Sequence, residues 1–303
     1  MKVSAFTYVR NGLNFDYPYL QAISSVLPIV NEFIVVVGDS VDETRNSILA
    51  LNDEKIKIVD TIWDEKMRSG GLVFAQQANI GMDNVSKDAD WLFHIQADEV
   101  IHEKDYAAIT AAMHKNLDDK TVQGLLFNFI NFFGDYYHYS PSRRYHQNEI
   151  RIIRNNPLIR SYRDSQGFRI YNDPNNYLQE KGEKLLVKKV DASIYHYSNA
   201  RKSEGDYKKR VEFKKMWEPN DEKIEEWANQ NKDVYDYTTN VDYLKLYKGS
   251  HPALMSAKIS QQDWTYNYDP SINNMTAKEK LMKFLETVTG KQFFIYKNYK
   301  LIK

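Results

Sequence analysis

The sequence predicts an α/β protein: a mostly parallel sheet flanked by helices, followed by a helical C-terminal extension. Two patterns carry this expectation. Over the first hundred residues, short continuous apolar runs alternate with segments of helical periodicity, the order of a doubly wound parallel sheet. Past residue 200, strand-like runs give way to charged segments with helical spacing.

Residues 2–9 form the first apolar strand, and Leu20, Ile23 and Leu27 make one helical stripe that Pro28 ends. Residues 33–37 are a second strand, covered on both faces. Residues 42–51 follow as a helix, with Ser40 or Asp42 as its N-cap. A third strand is expected at 56–62, and a longer helix at 71–85 places Phe74, Ala78, Met82 and Val85 near one face. Residues 91–95 are the fourth strand. A helix at 102–117 and a long strand at 123–133 come next. A loop-rich stretch, 134–190, carries short strands at 150–153 and 185–190 and seven arginines in its first half. Helices at 206–217 and 221–231 and a Tyr-rich connector lead to a last amphipathic helix, 277–288, stopped by Gly290. A boundary near residue 200 divides 1–200 from 201–303.

Composition narrows the classes of function. With 303 residues, 42% hydrophobic and 27% charged, the chain can bury a sizeable core. The 41 basic and 41 acidic residues cancel, so the global positive field of a nucleic-acid binder is missing and no nucleic-acid partner is expected. Without cysteine there is no disulfide, thiolate metal site or thiol nucleophile. The longest apolar runs are about five or six residues, against the roughly 20 that cross a bilayer. The chain opens directly into a strand-like run with no signal-peptide pattern, so a cytoplasmic protein is expected, with room for peripheral contact at the inner face of the membrane. The 22 tyrosines suit sugar rings and nucleobases, and equally suit half-buried packing.

No G-x-G-x-x-G follows a strand, and P-loop, H-E-x-x-H and G-x-S-x-G motifs are absent. An open parallel sheet still binds ligands beyond the carboxyl ends of its strands. Three constellations lie there. Val37-Gly38-Asp39-Ser40-Val41-Asp42-Glu43-Thr44 could accept hydrogen bonds from a base or ribose, or simply cap the next helix. Gln96-Ala97-Asp98-Glu99 ends a buried strand in an acidic pair, which must be solvated, paired or cation-bound, or serve as another helix cap. His196, within Ile194-Tyr195-His196-Tyr197, is a core histidine unless acidic company gives it a role.

Together these segments resemble the family 2 glycosyltransferases of GT-A fold. Ser40-x-Asp42-x-Thr44 is similar to their S-T-D-G-T turn. Residues 91–99 are similar to W-x-L-x-L-D-A-D-E with its D-x-D motif, Arg10-Asn11-Gly12 to R-N-E, and His196 to the C-terminal histidine of the metal–diphosphate site. The order and approximate spacing match over residues 1–200. Two positions depart: Gln96 stands for the first aspartate of D-x-D, and Val37 for the acid before the serine, where Asp39 lies next to Ser40. The resemblance implies metal-assisted, inverting transfer of a sugar from a nucleotide-diphosphate sugar to a hydroxyl of a glycan or lipid-linked acceptor, in polysaccharide synthesis. It implies Mg²⁺ or Mn²⁺ on Asp98 and His196, and Arg10, Asn11, Asp39, Ser40, Asp42 and Gln96 around the donor.

Asp164, beside a Gly-containing turn, is the chosen catalytic base, with Glu149, Asp173 and Glu180 as alternatives and a plain surface turn as the other account of Asp164. Arg151 and Arg154 could fork onto donor phosphate. Arg201, with Lys208 and Lys209, could close over it, although a solvated helix face accounts equally for the two lysines. A catalytically lapsed binding module is the first rival. A nucleotidyltransferase, which needs a Gly-rich basic loop after the first strand, is the second.

Overall fold

A computed structural model describes the chain except for residues 65, 68, 232–234, 236, 238–240, 272, 291 and 292, and describes only the backbone at 69. The first half alternates as expected: β1 (Val3–Val9), α1 (Tyr19–Val26), β2 (Glu32–Val37), α2 (Thr44–Leu49), β3 (Ile56–Asp60), α3 (Leu72–Asp83) and β4 (Trp91–His94). β1 is central, parallel to β2 and to β4, and β2 is parallel to β3. All six residues of β2 are buried, which explains its unbroken apolar run. Ile23 of α1, Ile48 of α2 and, from later in the chain, Ile109 pack on one face of the sheet with Ala5 and Val35. Ala78 and Met82 of α3 pack on the other with Phe6 and Val36. Gly81 is needed there, because a Cβ would come within 2.9 Å of the Phe6 ring.

β5 (Glu99–Ile101), α4 (Tyr106–Lys115), β6 (Gly124–Phe133), β7 (His138–Ser140), β8 (Asn148–Arg154), β9 (Ile159–Ser161), β10 (Phe168–Ile170), β11 (Glu183–Lys184) and β12 (Leu186–Asn199) follow. β8 enters antiparallel between β4 and β6, while β12 runs parallel to β6 and antiparallel to β5. The result is a mixed α/β fold with a mostly parallel central sheet flanked by helices. β9, β10 and β11 form a separate small antiparallel sheet.

Two expectations need correction. The short strand at 185–190 is the start of the 14-residue β12, whose apolar pattern is interrupted by Lys188, Lys189 and Asp191 around a register shift. The helix expected from residue 102 starts at Tyr106, because residues 99–101 are taken by β5 and His102 caps a short turn.

After β12 come α5 (Ser203–Trp217), α6 (Asp221–Asn231), β13 (Lys245–Leu246), α7 (Ser256–Ser260), α8 (Ala277–Thr289) and β14 (Lys300–Leu301). This extension is tied into the first 200 residues. β13 pairs with β7, and β14 pairs parallel with the start of β12. Among the described residues no helix is long and apolar enough to cross a membrane.

Candidate functional site

A cleft of about 730 Å³ opens at the carboxyl ends of β1 and β4, walled by β6, β8, β12 and the α5 helix. Register brings its central pair together. β5 lies antiparallel to β12 with Glu99 opposite His196, and the Tyr197 N–H donates to the Asp98 carbonyl at 2.8 Å. The Asp98 carboxylate therefore faces His196, Oδ2 to Nε2 3.6 Å. The Asn131 amide settles the ring's orientation. Its nitrogen donates to the His146 carbonyl at 2.9 Å, so its oxygen must accept from His196 Nδ1 at 2.9 Å. That leaves Nε2 turned toward Asp98 and the cavity. Burial alone would raise the Asp98 carboxyl, but His196, with Lys209 and Arg201 behind it, holds it well below the ordinary range.

Asp98 and His196 are two of the donors a divalent cation needs. Among the described residues no group of three or more His, Asp or Glu could hold a metal by itself. Such a pair fits an ion of the Mg²⁺ or Mn²⁺ type, which takes one or two protein ligands and completes its shell with water and phosphate oxygens. Gln96 lines the same cleft, its amide 3.5 Å from the Ser165 carbonyl.

Beneath this pair, Glu99 and Arg151 form a buried two-point ion pair, at 2.7 and 2.5 Å. The same carboxylate accepts from the Gln96 N–H at 3.1 Å, so the pair braces the turn that carries Asp98. Arg151 lines the cleft, but its guanidinium is committed to Glu99 and the Ile150 carbonyl, a positioning duty rather than the expected phosphate fork. Arg154 is elsewhere. It pairs with Trp91 at the opposite end of β4, lies 3.8 Å over that indole, and donates to the carbonyls of Val122, Asn116 and Asp119. Placing it on a phosphate was wrong. The ladder explains why: β8 shifts register around Arg151, and Arg154 lies a further turn of the pleat away from the cleft. Other arginines of the run are also paired: Arg143 with Glu286, Arg144 with Glu279 and Arg160 with Asp83.

The β2–α2 turn is spent largely on its neighbour. Ser40 Oγ accepts from the Asn11 N–H at 3.0 Å, and the Val41 N–H donates to Asn11 Oδ1 at 2.8 Å. Asp42 accepts from the N–H groups of Asn14 and Thr44, at 2.8 and 3.0 Å, and from the Thr44 hydroxyl. Ser40 and Asp42 thus clamp the loop after β1, and Asn11 takes a left-handed backbone, φ 53°, inside that clamp. Arg10 and Asn11 line the cleft, whereas Ser40 and Asp42 stand behind them. Asp39 pairs with Arg10 at 3.1 Å and accepts from the Trp63 N–H at 3.2 Å; it does not itself line the cleft, whereas Arg10 and Trp63 do.

The far end of the cleft holds Asp164, Glu149 and His146. Burial raises the Asp164 carboxyl, and Gln166 donates to it at 2.9 Å. His146 Nδ1 lies 2.9 Å from Glu149, which raises the imidazole in turn. The sequence does not mark the partnership of Glu149 with His146, because an i,i+3 spacing at a strand entrance is too common a pattern to single it out.

Helix α5 closes the remaining wall. Arg201, ahead of it, is buried under the cleft floor, donating to the Phe15 carbonyl and stacking on Tyr17, so its charge acts on Asp98 from behind instead of reaching a ligand. Lys209 lines the cleft, its Nζ donating to the Ser198 carbonyl and hydroxyl at 2.8 and 2.6 Å, and burial with Arg201 nearby brings it down to about 7. Lys208 is exposed, as a solvated helix face requires. Phe213 and Trp217 continue the same wall, with Phe213 stacked on Phe74 at 4.9 Å.

No family model matches the chain, and no curated protein matches its sequence. Solved structures similar to it include S. aureus TarS, 13% identical with a TM-score of 0.38, covering 70% of this chain and 39% of that one. Another is S. aureus TarS 1-349 in complex with UDP-GlcNAc, 12% identical with a TM-score of 0.37 over 76% of this chain and 71% of that one. A third is Mycobacterium tuberculosis glucosyl-3-phosphoglycerate synthase in complex with Mn²⁺, UDP and phosphoglyceric acid. It is 16% identical, with a TM-score of 0.30 over 43% of each chain. The chain therefore spans less than half the length of TarS and of the synthase.

Proposed function

We propose that the chain transfers a sugar from a nucleotide-diphosphate sugar to a hydroxyl of a glycan or lipid-linked acceptor, with inversion. The observation that carries this is the pairing of Asp98 with His196, 3.6 Å apart on two strands distant in sequence, at the mouth of a parallel sheet. The motif order around β1, β2 and β4 supports the same reading. Asp98 and His196 would hold Mg²⁺ or Mn²⁺, which when bound offsets charge on the diphosphate.

The chain's own residues divide the remaining work. Arg10, Asn11 and Asp39 shape the nucleotide edge. Lys209 stands where it can face departing diphosphate, and Arg201 supports the local positive field. Asp164 accepts the proton of the acceptor hydroxyl as that oxygen bonds to the anomeric carbon; the carbon–oxygen bond to the diphosphate breaks, and its electron pair leaves with the diphosphate. A Cβ on Gly71 would meet Asp164 at 2.9 Å and the Trp217 indole nitrogen at 3.0 Å, so carboxylate and indole share one corner of the cleft. An aromatic face beside a proton acceptor suits a sugar ring presenting one hydroxyl.

The test is transfer from UDP- and GDP-sugars to a panel of glycosides, with Mn²⁺ or Mg²⁺, by wild type and Asp98→Asn. Metal-dependent product from wild type alone supports the reading, and equal activity in the variant contradicts it. Gln96 favours one second reading, a lapsed binding module, which tight nucleotide-sugar binding without turnover would establish.

A further inference from the structure

Helix α8 is built inside out for a globular protein. It is well terminated, with a Thr276–Glu279 capping box at its start and Gly290 in a left-handed conformation at its end, and none of its residues is buried. Its acidic residues face the body: Glu279 pairs with Arg144 at 2.7 Å and Glu286 with Arg143. Lys283 also turns inward, its ammonium 3.3 Å over the Tyr243 ring. Met282 and Leu285 are half-buried, and the other large apolar residues face out. Leu281, Phe284 and Val288, at i, i+3 and i+7, form one stripe and are 54%, 63% and 67% exposed. Exposed Lys278 and Lys280 flank that stripe. An ordinary surface helix turns this face to the core.

Charge says what covers it. Residues 277–303 hold seven lysines and two glutamates, in a chain whose net charge is zero, and both glutamates are already paired with arginines. A second copy of the same lysine-flanked stripe would meet it with like charge. An anionic lipid surface meets both needs, taking the apolar stripe into the acyl boundary and the lysines among its headgroups. We propose that α8 docks the protein on an anionic membrane surface, lying in the interface with Leu281, Phe284 and Val288 inserted. This does not depend on the reaction proposed for the cleft.

The test is co-sedimentation of the full chain with vesicles of phosphatidylcholine alone and of phosphatidylcholine with an equal part of phosphatidylglycerol. Wild type should bind the anionic vesicles, and added salt should weaken that binding. Leu281→Ser/Phe284→Ser/Val288→Ser should bind at least about tenfold more weakly, with an unchanged melting temperature because these side chains support no core. Lys278→Glu/Lys280→Glu, which keeps the stripe, should weaken binding by about fivefold per lysine. Wild type that ignores anionic vesicles or binds neutral ones equally would overturn the proposal. So would a serine variant that binds like wild type, or wild-type self-association abolished by the serine variant.

Discussion

Asp42 and Asp98 both follow a parallel strand at its carboxyl end, and they are used in opposite ways. Asp42 is saturated by donors from its own and the neighbouring loop, two backbone N–H groups and a hydroxyl. Asp98 faces an imidazole across 3.6 Å, with Lys209 and Arg201 adding positive charge around it. A carboxylate whose lone pairs are filled by the backbone builds a loop. One that faces a cavity keeps lone pairs for a ligand, and the positive charge around it suits an anionic group there. The glycosyltransferase-like motifs around the two residues look equally functional in sequence, and only the hydrogen bonds separate them.

The largest expected effect tests the brace beneath Asp98. Arg151→Met leaves Glu99 buried and unpaired and should cost about 3–5 kcal/mol in denaturant unfolding; a loss under about 1 kcal/mol would show that the pair is solvated and not structural. Next, Asp98→Asn should stay folded with a lowered melting transition, because the positive charge around it loses its partner, and should lose about 10²–10³-fold in donor turnover. Asp42→Asn should act chiefly on stability. It should destabilise by about 1 kcal/mol through the weakened clamp on Asn14 and Thr44, with turnover changed far less than in Asp98→Asn. If Asp42→Asn instead matched Asp98→Asn in activity at full stability, the contrast between the two turns would fail.

Lys209 gives a smaller, pH-dependent effect. Its folded value, about 7, lies below that of an unfolded lysine, so the native state holds fewer protons between about 7 and 10.4. Stability should therefore rise with pH across that window, and the cost of burying the ammonium is present in full below it. Bound diphosphate favours the charged amine, so donor affinity should fall as pH rises above about 7. Lys209→Met should flatten both profiles, as read by thermal melts and donor titrations at several pH values. Glu32 gives a slope of the same sign at acid pH, but there the charged form is the one the fold stabilises. Burial raises it, but Ser4, Lys57 and the Ser86 N–H together bring it down to about 2. Its stabilisation is present above the ordinary carboxylate range and disappears as pH falls through about 2, so Glu32→Gln should lower stability near neutral pH and flatten the acid side of the profile.

Much of the first hundred residues could be read from sequence, because buried parallel strands are continuous apolar runs and α3 keeps its stripe. β12 could not be read whole, since its lysines and Asp191 interrupt the pattern at an irregular register. At the site, Asp98 and His196 were visible by their order, although nothing in the sequence gave their separation. Arg154 misled because residue type does not reveal which end of a strand a guanidinium occupies. Lys209 and Lys208 were indistinguishable as letters in a charged helix; packing against Ser198 and Tyr17 sets Lys209 apart. The aromatic wall of Phe213 and Trp217 was hidden for the same reason, since α5 reads as a solvated helix until β12 positions it over the cleft.

The most direct measurement is calorimetric titration of UDP, GDP and their common sugar conjugates into wild type and Asp98→Asn, with and without Mn²⁺. Binding of one conjugate by wild type that requires the ion and is lost in Asp98→Asn is the predicted result. Binding of equal strength in both proteins, indifferent to the ion, would contradict the assignment of Asp98 and His196 to a metal–diphosphate site.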